Sequence, residues 1–576
     1  MPIDREFFIR QATFFVLAAL VAAFLSYALF IRKPPPIPGD VLALIQPRFN
    51  AARAMADLRA LVEECPARVT GSDGGRCAAR LIESRFREAG LATSTQRFPL
   101  WLRGKQVEGT NVLARIPGTS SLTLLLMAHY DAPPGGGDAA SDNGTGVTAL
   151  LELARVFSQE RPARTIILAA TDAGFWSALG AVALAREKAW EGFSGQGESA
   201  PYAALSLDHL PPGVAGDIAL QAGGPSGAHA PVWIRARVAE AIASAGLGLR
   251  HEGLLPQIAS RAVPHTFQDQ GPMLAWGIPA INLGALPAPG ERAIPRPPPA
   301  GESSAGDIRP GALLQFGSAA ELAARGLLTA AATGSSDAII LSPSRDLPRE
   351  TVRWMAALLF LPLAVLALEA LLRRKGAFRS TLLDAARAAA WALPLLLAAL
   401  ALRLCVRLDF LPRFSGFPSE LRDPLLTAWA PLPMASMAAT IICGALAAAA
   451  LAPRTRWEAG LLLLLGASIW AWTLNDLSAA LFLGPAAWSW PWIGAGGGKR
   501  GRWLDALLLL IGVAPLAALL CVAGARLLIG PWIVWYGPLL AGYGVLGLQA
   551  VCAAGLAFAA AVAFTRSANA WRLTSG

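Results

Sequence analysis

Long apolar runs fill the chain from about residue 350 to its C-terminus, and they fix the kind of structure that this part can form. A run of about 20 apolar residues is long enough to cross the hydrocarbon core of a bilayer as one helix. Residues 346–576 are therefore predicted to be a polytopic, all-α transmembrane domain with about six helices. The helices are expected near residues 352–372, 380–402, 424–452, 457–484, 503–528 and 531–565, and the last run forms one span or two.

An earlier apolar run, Phe14–Leu29, reaches spanning length with its flanks. A cleaved signal peptide is the alternative interpretation. No convincing small-x-small cleavage site follows the run, however, and Arg32, Lys33 and three prolines come directly after it. We therefore expect a retained anchor helix over about residues 10–31, with residues 1–39 forming the anchor and its linker.

The chain carries a formal net charge of +10, and short basic loops between the apolar runs supply much of it. Arg373–Lys375 with Arg379 form one such loop, and Arg454 with Arg456 form another. Positive loops between spans mark the cytoplasmic side of a membrane. The N-terminus is then cytoplasmic and residues 40–345 are extracytoplasmic, which means periplasmic if the Ala-, Arg- and Pro-rich composition reflects a bacterial inner-membrane protein. The expected partner of the basic loops is membrane lipid, and no basic stripe with interleaved aromatics predicts nucleic-acid binding.

Within residues 40–345, strand-like and helix-like segments alternate. Apolar strands are predicted around LTLLLMAHY, RTIILAAT and AALSLDHL, with the helices GVTALLELARVF and SALGAVALAREKA between them. This alternation predicts an α/β domain with a central mixed sheet flanked by helices. Polar residues that follow the strands should meet at one edge of the sheet, where open α/β sheets place their sites.

Four motifs occur in order along this domain. The first, MAHYDAPPGGGDAASDNGTG, contains His129, Asp131 and Asp142. TDAGFWSALGA follows, then Asp208 in AALSLDHL, and then WGIPAINL. In order and content the four motifs resemble the two-zinc aminopeptidase family that includes bacterial leucyl aminopeptidases, glutamate carboxypeptidase and glutaminyl cyclase.

The resemblance implies a role for each motif residue. By family position, His129, Asp142 and Asp208 together form one complete three-ligand zinc site, and Asp131 orients the His129 ring. Three protein ligands with an open fourth position are typical of catalytic zinc. A fold inherited without its metal is the alternative, so the expected cofactor is none or one zinc ion.

The catalytic groups of that family are missing. Gly174 and Phe175 stand where the family has two glutamates, the general base and a ligand of the second zinc. The family's last histidine ligand, which follows the Gly-Ile-Pro segment, also has no counterpart. Without a carboxylate base, a metal-bound water has no obvious proton acceptor. The site is therefore predicted to be degenerate, with Phe175 and Trp176 as candidates to fill the former second-metal position.

Three residues are possible substitutes for the missing groups. Asp172 and His209 lie near the motifs in sequence and could accept a proton. PHTFQD, which contains His265, reads like the family's final ligand motif, but it precedes the Gly-Ile-Pro segment instead of following it. A relocated ligand and an ordinary loop histidine both stay open for His265.

Two further features remain open at this point. Cys65 and Cys77 flank a turn-rich link in the predicted extracytoplasmic part, and an exported domain permits a disulfide between them without requiring it. Asn475 and Asp476 lie deep in apolar sequence. An intramembrane carboxylate is costly and usually faces a polar partner or cavity, and interfacial placement is the alternative.

The order of parts resembles two groups of membrane proteins: the endoplasmic-reticulum metallopeptidases and the scaffold subunit of the GPI transamidase. The missing glutamates favour the second group. The leading hypothesis is a non-catalytic pseudo-peptidase that binds a peptide or a partner protein at the outer membrane face. The alternatives are a single-zinc peptidase, cyclase or amide transferase that uses His129, Asp142 and Asp208, and a transporter-like bundle that rests on Asp476.

Overall fold

The computed structural model describes most of the chain. The described residues are 46–102, 105–134, 138–193, 200–211, 215–225, 228–244, 248–250, 252–287, 304–330, 338–342, 345–373, 378–408, 457–474, 477–494, 498–526, 533–544 and 546–574, with isolated positions between 16 and 27 and between 438 and 446. Most of the expected anchor helix, most of the expected span 424–452, the basic residues Arg454 and Arg456, and both Asn475 and Asp476 lie outside these ranges.

An eight-stranded mixed sheet forms the centre of the first domain, in the order β1-β2-β4-β3-β5-β8-β6-β7. Its strands are β1 Ala92–Leu102, β2 Lys105–Ile116, β3 Thr123–His129, β4 Thr165–Thr171, β5 Ala203–Leu207, β6 Ala215–Gln221, β7 Leu249–Arg250 and β8 Ala280–Pro287. The central strands β4, β3, β5 and β8 are parallel, whereas the pairs β1–β2, β2–β4 and β6–β8 are antiparallel. Nearly every side chain of β3 and β4 is buried, as expected for strands covered on both faces, and this explains their unbroken apolar sequence.

Eight helices of the described residues belong to this domain. They are Ala51–Glu64, Asp73–Glu88, Thr145–Ser158, Leu179–Glu187, Val232–Ser244, Leu254–Ala262, Gln270–Ala275 and Pro310–Thr329. Their buried side chains and those of the sheet form one continuous apolar core. A disulfide joins Cys65 to Cys77, so the first two helices are linked covalently. The predicted α/β class, a mixed sheet with flanking helices, is confirmed.

The C-terminal part is all-helical. A short hairpin of β9 Ala338–Ser342 and β10 Arg345–Pro348 leads into it. The helices described there are Arg349–Arg373, Phe378–Ala388, Leu393–Arg407, Trp457–Leu474, Leu477–Ser489, Gly498–Arg526, Ile533–Gly542 and Leu548–Thr574. Among the described residues, four helical stretches are long and apolar enough to cross a membrane: Arg349–Leu372, Phe378–Arg407, Gly501–Arg526 and Leu548–Ser567.

The structure changes the extent of two expected spans. The run 531–565 is two helices, because the chain turns after Gly542 and passes through Gly544 at a φ of +80° before Leu548. Only the second of these helices has spanning length among the described residues. The run expected to form one helix over residues 457–484 is described as two helices, Trp457–Leu474 and Leu477–Ser489, and the second passes through Pro485.

The domain and the helical part meet along the helix Leu254–Ala262, which packs against Gly498–Arg526. An apolar cluster fills this junction and includes Ile258, Ala259, Val263, Phe267, Leu519 and Ala523. At the end of the long helix, Arg526 donates a hydrogen bond to the His265 carbonyl at 3.1 Å and lies 3.7 Å from the Glu252 carboxylate.

Candidate metal centre

Three of the predicted site residues reach one edge of the sheet from three different segments. His129 is the last residue of β3, and Asp208 directly follows β5. Because β3 and β5 are parallel neighbours, their carboxyl ends meet at the same edge. Asp142 arrives there from the loop that precedes the helix Thr145–Ser158. The structure therefore brings together the three residues that the sequence motifs singled out.

The distances among these side chains suit a metal ion. The Nε2 atom of His129 lies 3.4 Å from Asp142 Oδ1 and 3.5 Å from Asp208 Oδ1. Both separations are long for hydrogen bonds. They match the edge of a tetrahedron of ligands, which is about 3.4 Å when each ligand is about 2.1 Å from a zinc ion. All three ligand atoms lie within 4.8 Å of one another, and no other such group occurs among the described residues.

Asp131 holds the histidine from behind. Its fully buried carboxylate accepts hydrogen bonds from the backbone amides of Gly174 at 2.6 Å and Phe175 at 3.0 Å. Its Oδ1 atom lies 3.3 Å from His129 Nδ1, which leaves Nε2 facing Asp142 and Asp208. This is the arrangement by which a carboxylate orients a metal-binding histidine.

Negative charge exceeds positive charge around His129. Burial by itself lowers the pKa of His129, but the carboxylates of Asp131, Asp142 and Asp208 together raise it well above its ordinary value. Asp208 Oδ1 is buried and accepts no hydrogen bond from the described residues. A buried carboxylate oxygen without a donor is costly, and a bound cation would remove that cost. The donor set and its charge therefore fit a divalent metal.

Gly174 lies directly against the histidine ring. A Cβ atom built at this position would be 2.2 Å from both Cβ and Cγ of His129, far inside van der Waals contact. No side chain, including a glutamate, fits at residue 174 unless His129 or the backbone moves. The position at which the resemblance places the general base is thus closed by the local packing.

Phe175 and Trp176 pack in an apolar cluster with residues of β1 and β2. Trp176 is 3% exposed, and both rings belong to an apolar cluster beneath the β1–β2 hairpin. The other members of that cluster are Phe98, Leu100, Leu102, Val107, Ala173, Leu179 and Ala183. The aromatic pair therefore packs against the part of the β1–β2 hairpin that extends beyond its pairing with β4.

The possible substitute residues have other contacts. Both oxygens of Asp172 accept hydrogen bonds, from Thr70 Oγ1, from the Ala173 amide and from the Thr110 amide, although burial raises the pKa of this carboxyl. His209 lies 3.3 Å from Ser141 Oγ through Nδ1. His265 is buried edge-on against Phe267 and is not part of the ligand group.

Two residues near the site were not identified from the sequence. Asp269 is buried, accepts a hydrogen bond from Thr171 Oγ1 at 2.7 Å and interacts electrostatically with His129. Burial raises the pKa of Asp269 to about 6. Asp269 is the last residue of PHTFQD. This motif was recognised in the sequence, but His265 was selected from it and not Asp269. Arg68 is fully buried behind the loop that carries Asp142.

Comparison with known proteins shows a similarity to one family over part of this domain. The model of Peptidase family M28 matches residues 111–201, a segment that contains His129, Asp131, Asp142 and Gly174. Asp208 lies just beyond the matched segment. The domain is therefore similar to this peptidase family in the segment that carries most of the candidate site.

Curated relatives match over a similar short stretch. A vacuolar membrane protease of Kluyveromyces lactis is 42% identical over 62 residues, which cover 10% of this chain and 7% of that protein. A vacuolar membrane protease of Laccaria bicolor is 44% identical over 70 residues, which cover 11% of this chain and 6% of that protein. The matched stretch is thus a small fraction of the length of these relatives.

Solved structures align with about half of the chain. Glutaminyl cyclase from Porphyromonas gingivalis aligns over 48% of this chain and 98% of its own at 22% identity, with a TM-score of 0.39. The zinc aminopeptidase BSAP from Bacillus subtilis aligns over 49% of this chain and 96% of its own at 15% identity, also with a TM-score of 0.39.

Proposed function

We propose that this chain is a membrane-anchored, peptidase-like protein whose first domain binds a peptide or a partner protein through one zinc site and does not hydrolyse peptides. The observation that carries the proposal is the contact of Gly174 with the His129 ring. A Cβ atom at residue 174 would lie 2.2 Å from that ring, so the carboxylate base of a hydrolase has no room there. The scaffold role agrees with the order of parts, which resembles that of the GPI-transamidase scaffold subunit.

His129, Asp142 and Asp208 are the residues that would hold the zinc ion. With three protein ligands, a bound zinc offers an open position and a Lewis-acid centre to a ligand group such as a peptide carboxylate. Asp142 is the most exposed of the three, with 44% of its side chain accessible, so a ligand would reach a zinc ion held there from the side of Asp142. Asp131 keeps His129 in the orientation that such binding requires.

Two of the carboxylates near the site already accept several hydrogen bonds. Asp131 accepts hydrogen bonds from two backbone amides, and Asp172 accepts hydrogen bonds from one hydroxyl and two backbone amides. A general base must come within hydrogen-bond reach of the water that it deprotonates. A centre that keeps the ligands and lacks the base favours binding over hydrolysis.

We further propose that this domain is extracytoplasmic. The basic loop around Arg373–Arg379 follows the first candidate span, which fits a cytoplasmic loop. The Cys65–Cys77 disulfide is of the kind that persists in oxidising compartments. Labelling of single surface cysteines introduced at Arg97 and Arg379 with a membrane-impermeant maleimide tests this topology. Reaction at residue 97 alone in intact cells is expected, and reaction at residue 379 alone would reverse the orientation.

Metal content and activity of the purified full-length protein test the proposed function together. We expect near-stoichiometric zinc by elemental analysis, its loss in Asp142→Ala, and no release of amino acids from aminoacyl amides by either protein. A peptide pool incubated with the wild-type protein should be retained more strongly than with Asp142→Ala. Zinc-dependent cleavage of aminoacyl amides that disappears in Asp142→Ala would overturn the non-catalytic assignment.

One observation favours the alternative, a single-zinc hydrolase, cyclase or amide transferase. Asp269 places a buried carboxyl near His129 without using both of its oxygens, because Oδ1 accepts no hydrogen bond from the described residues. In that case Asp269→Asn would abolish activity and leave the zinc content unchanged. If the wild-type protein shows no measurable hydrolase, cyclase or transferase activity, this alternative is wrong.

A further inference from the structure

The disulfide between Cys65 and Cys77 closes a short loop beside the candidate metal centre. The two cysteines are 12 positions apart, and the segment between the helices Ala51–Glu64 and Asp73–Glu88 consists of Cys65 and residues 66–72. We call residues 66–72 the clamp loop. Two of its side chains, Arg68 and Thr70, are buried under the segments that carry the site.

Arg68 binds the loop between His129 and Asp142. Its Nε donates to the Tyr130 carbonyl at 3.0 Å, its Nη1 to the Asp138 carbonyl at 3.0 Å and its Nη2 to the Ala139 carbonyl at 3.1 Å. The bonding is reciprocal, because the Ala132 amide donates to the Arg68 carbonyl at 2.8 Å. One guanidinium thus ties the residue after His129 to the residues just before Asp142.

Thr70 binds the neighbouring segment. Its hydroxyl donates to Asp172 Oδ1 at 2.9 Å, and Asp172 in turn accepts from the Ala173 amide at 2.7 Å. Gly174 follows and donates to Asp131. The clamp loop therefore contacts both the segment that carries Asp142 and the segment that packs against His129.

The carbonyls held by Arg68 depend on it. The stretch from Asp131 to Ala139 contains no helix or strand in its described residues, and Ala139 has a φ of +42°. A buried carbonyl that loses its donor costs about 1–3 kcal/mol. The Arg68 guanidinium is itself fully buried, and its pKa, which burial lowers to about 10, still keeps it charged near neutral pH. Its planar fork can serve three acceptors at once, which an ammonium group cannot do in the same geometry.

We propose that Arg68, held in place by the disulfide-closed clamp loop, is a positioning residue of the metal centre that sets where Asp142 lies relative to His129. The proposal rests on the proposed zinc site for its effect on metal binding. Outer residues that orient metal ligands change metal affinity by about 10–100-fold when they are removed. Arg68→Met should therefore weaken metal binding although residue 68 contacts no metal ligand atom.

The experiment compares full-length wild type with Arg68→Met, Arg68→Lys and Arg237→Met in detergent. Arg237 is the matched control, since it is also buried and donates to a backbone carbonyl, that of Gly326, and to Thr329 Oγ1, both in the helix Pro310–Thr329; it also pairs with Glu240 at 2.7 Å. The probe is Co²⁺, whose visible absorption reports the coordination geometry. Hydrogen exchange of residues 132–144 is measured in parallel as a readout that needs no metal.

We expect Arg68→Met to weaken Co²⁺ binding about 10-fold or more, to change the visible spectrum and to speed exchange in residues 132–144. Arg68→Lys should recover part of each effect, and Arg237→Met should match the wild type in all three. Equal effects of Arg68→Met and Arg237→Met, or none in Arg68→Met, would overturn the proposal. If Arg68→Met does not fold, Thr70→Val takes its place, with the same direction expected for exchange near residues 172–175 and for the Co²⁺ spectrum.

Failure of the zinc site is distinguishable from failure of the clamp. If the wild type binds no Co²⁺, the proposed function falls and Arg68 has no metal centre to position. Hydrogen exchange then tests the clamp loop by itself. If residues 132–144 exchange faster in Arg68→Met alone, Arg68 does hold that loop. If their exchange is unchanged, this part of the proposal is wrong as well.

Discussion

Replacing Gly174 by alanine tests the packing that closes the catalytic position. The added Cβ would lie 2.2 Å from two ring-side atoms of His129 and 2.7 Å from its Nδ1. Carbon atoms in contact are about 3.5–4.0 Å apart, so the histidine or the backbone must move by more than about 1 Å. The move also disturbs the bond from the Gly174 amide to Asp131, which is 2.6 Å long.

The expected cost combines two effects. Overpacking a close-packed interior costs about 1–3 kcal/mol. Weakening a hydrogen bond to a charged, buried carboxylate adds about 1–2 kcal/mol. A total of about 3 kcal/mol in a domain of this size lowers the melting temperature by about 5–10 °C. Because His129 is the group displaced, zinc content should fall as well.

The assay is thermal unfolding and zinc analysis of the full-length protein in detergent. Gly311→Ala is the control, since a Cβ at Gly311 meets no atom within 4 Å and its φ is not in the left-handed range. The control should melt within about 2 °C of the wild type. Gly174→Glu should lose zinc and gain no peptidase activity. A Gly174→Ala protein with wild-type melting temperature and zinc content would refute the packing argument.

Three further outcomes are expected. Cys65→Ser should lower the free energy of unfolding by about 3 kcal/mol, the value for a closed loop of this length, whereas Cys521→Ser should not change it. Trp176→Ala should cost about 3–5 kcal/mol by opening the apolar cluster under the hairpin, with unchanged zinc stoichiometry; lost zinc would place that ring in the metal site. Burial raises the pKa of Asp269 to about 6. The charged carboxylate therefore lowers the free energy of unfolding, and this loss grows as the pH rises from about 4 to about 6. Asp269→Asn should therefore melt higher than the wild type at pH 7.5, with a free-energy difference of up to about 3 kcal/mol. The difference should shrink as the pH falls below about 6 and vanish only below about pH 3, where Asp269 is protonated in both states; a pH-independent difference would contradict this.

The sequence predicted the parts of the fold that depend on local pattern. Strands β3 and β4 are buried along nearly their whole length, so their sequences are unbroken apolar runs. Such runs can be recognised as strands without knowledge of tertiary contacts. His129 and Asp208 end or follow parallel strands, and the rule that such ends share an edge was enough to place them together. Asp142 was placed by its motif alone, and the structure puts it in the same group.

Features that depend on tertiary contact were beyond the sequence. The clash at Gly174 exists because His129 pairs with Thr171 at the end of β4 and the segment that follows β4 packs against the His129 ring, and nothing in TDAGFWSALGA reports that distance. Nothing in the turn-rich segment around Arg68 predicts that a charged side chain is fully buried; it is buried because three carbonyls from another segment surround it. The turn at Gly544 was hidden within an apolar run, because hydropathy does not register one residue with positive φ.

Metal binding and hydrolysis make different demands on this site, and the chain meets them unequally. Binding needs ligands at the correct spacing and a group that orients them, and His129, Asp142, Asp208 and Asp131 provide both. Hydrolysis also needs a proton acceptor within reach of the open position. At residue 174, where the family resemblance places that acceptor, the backbone is too close to His129 for any side chain, and Asp269 is a buried carboxyl near His129 that could serve instead. Zinc in the purified protein would therefore not imply peptidase activity, and only the two measurements made on the same preparation separate a binding protein from an enzyme.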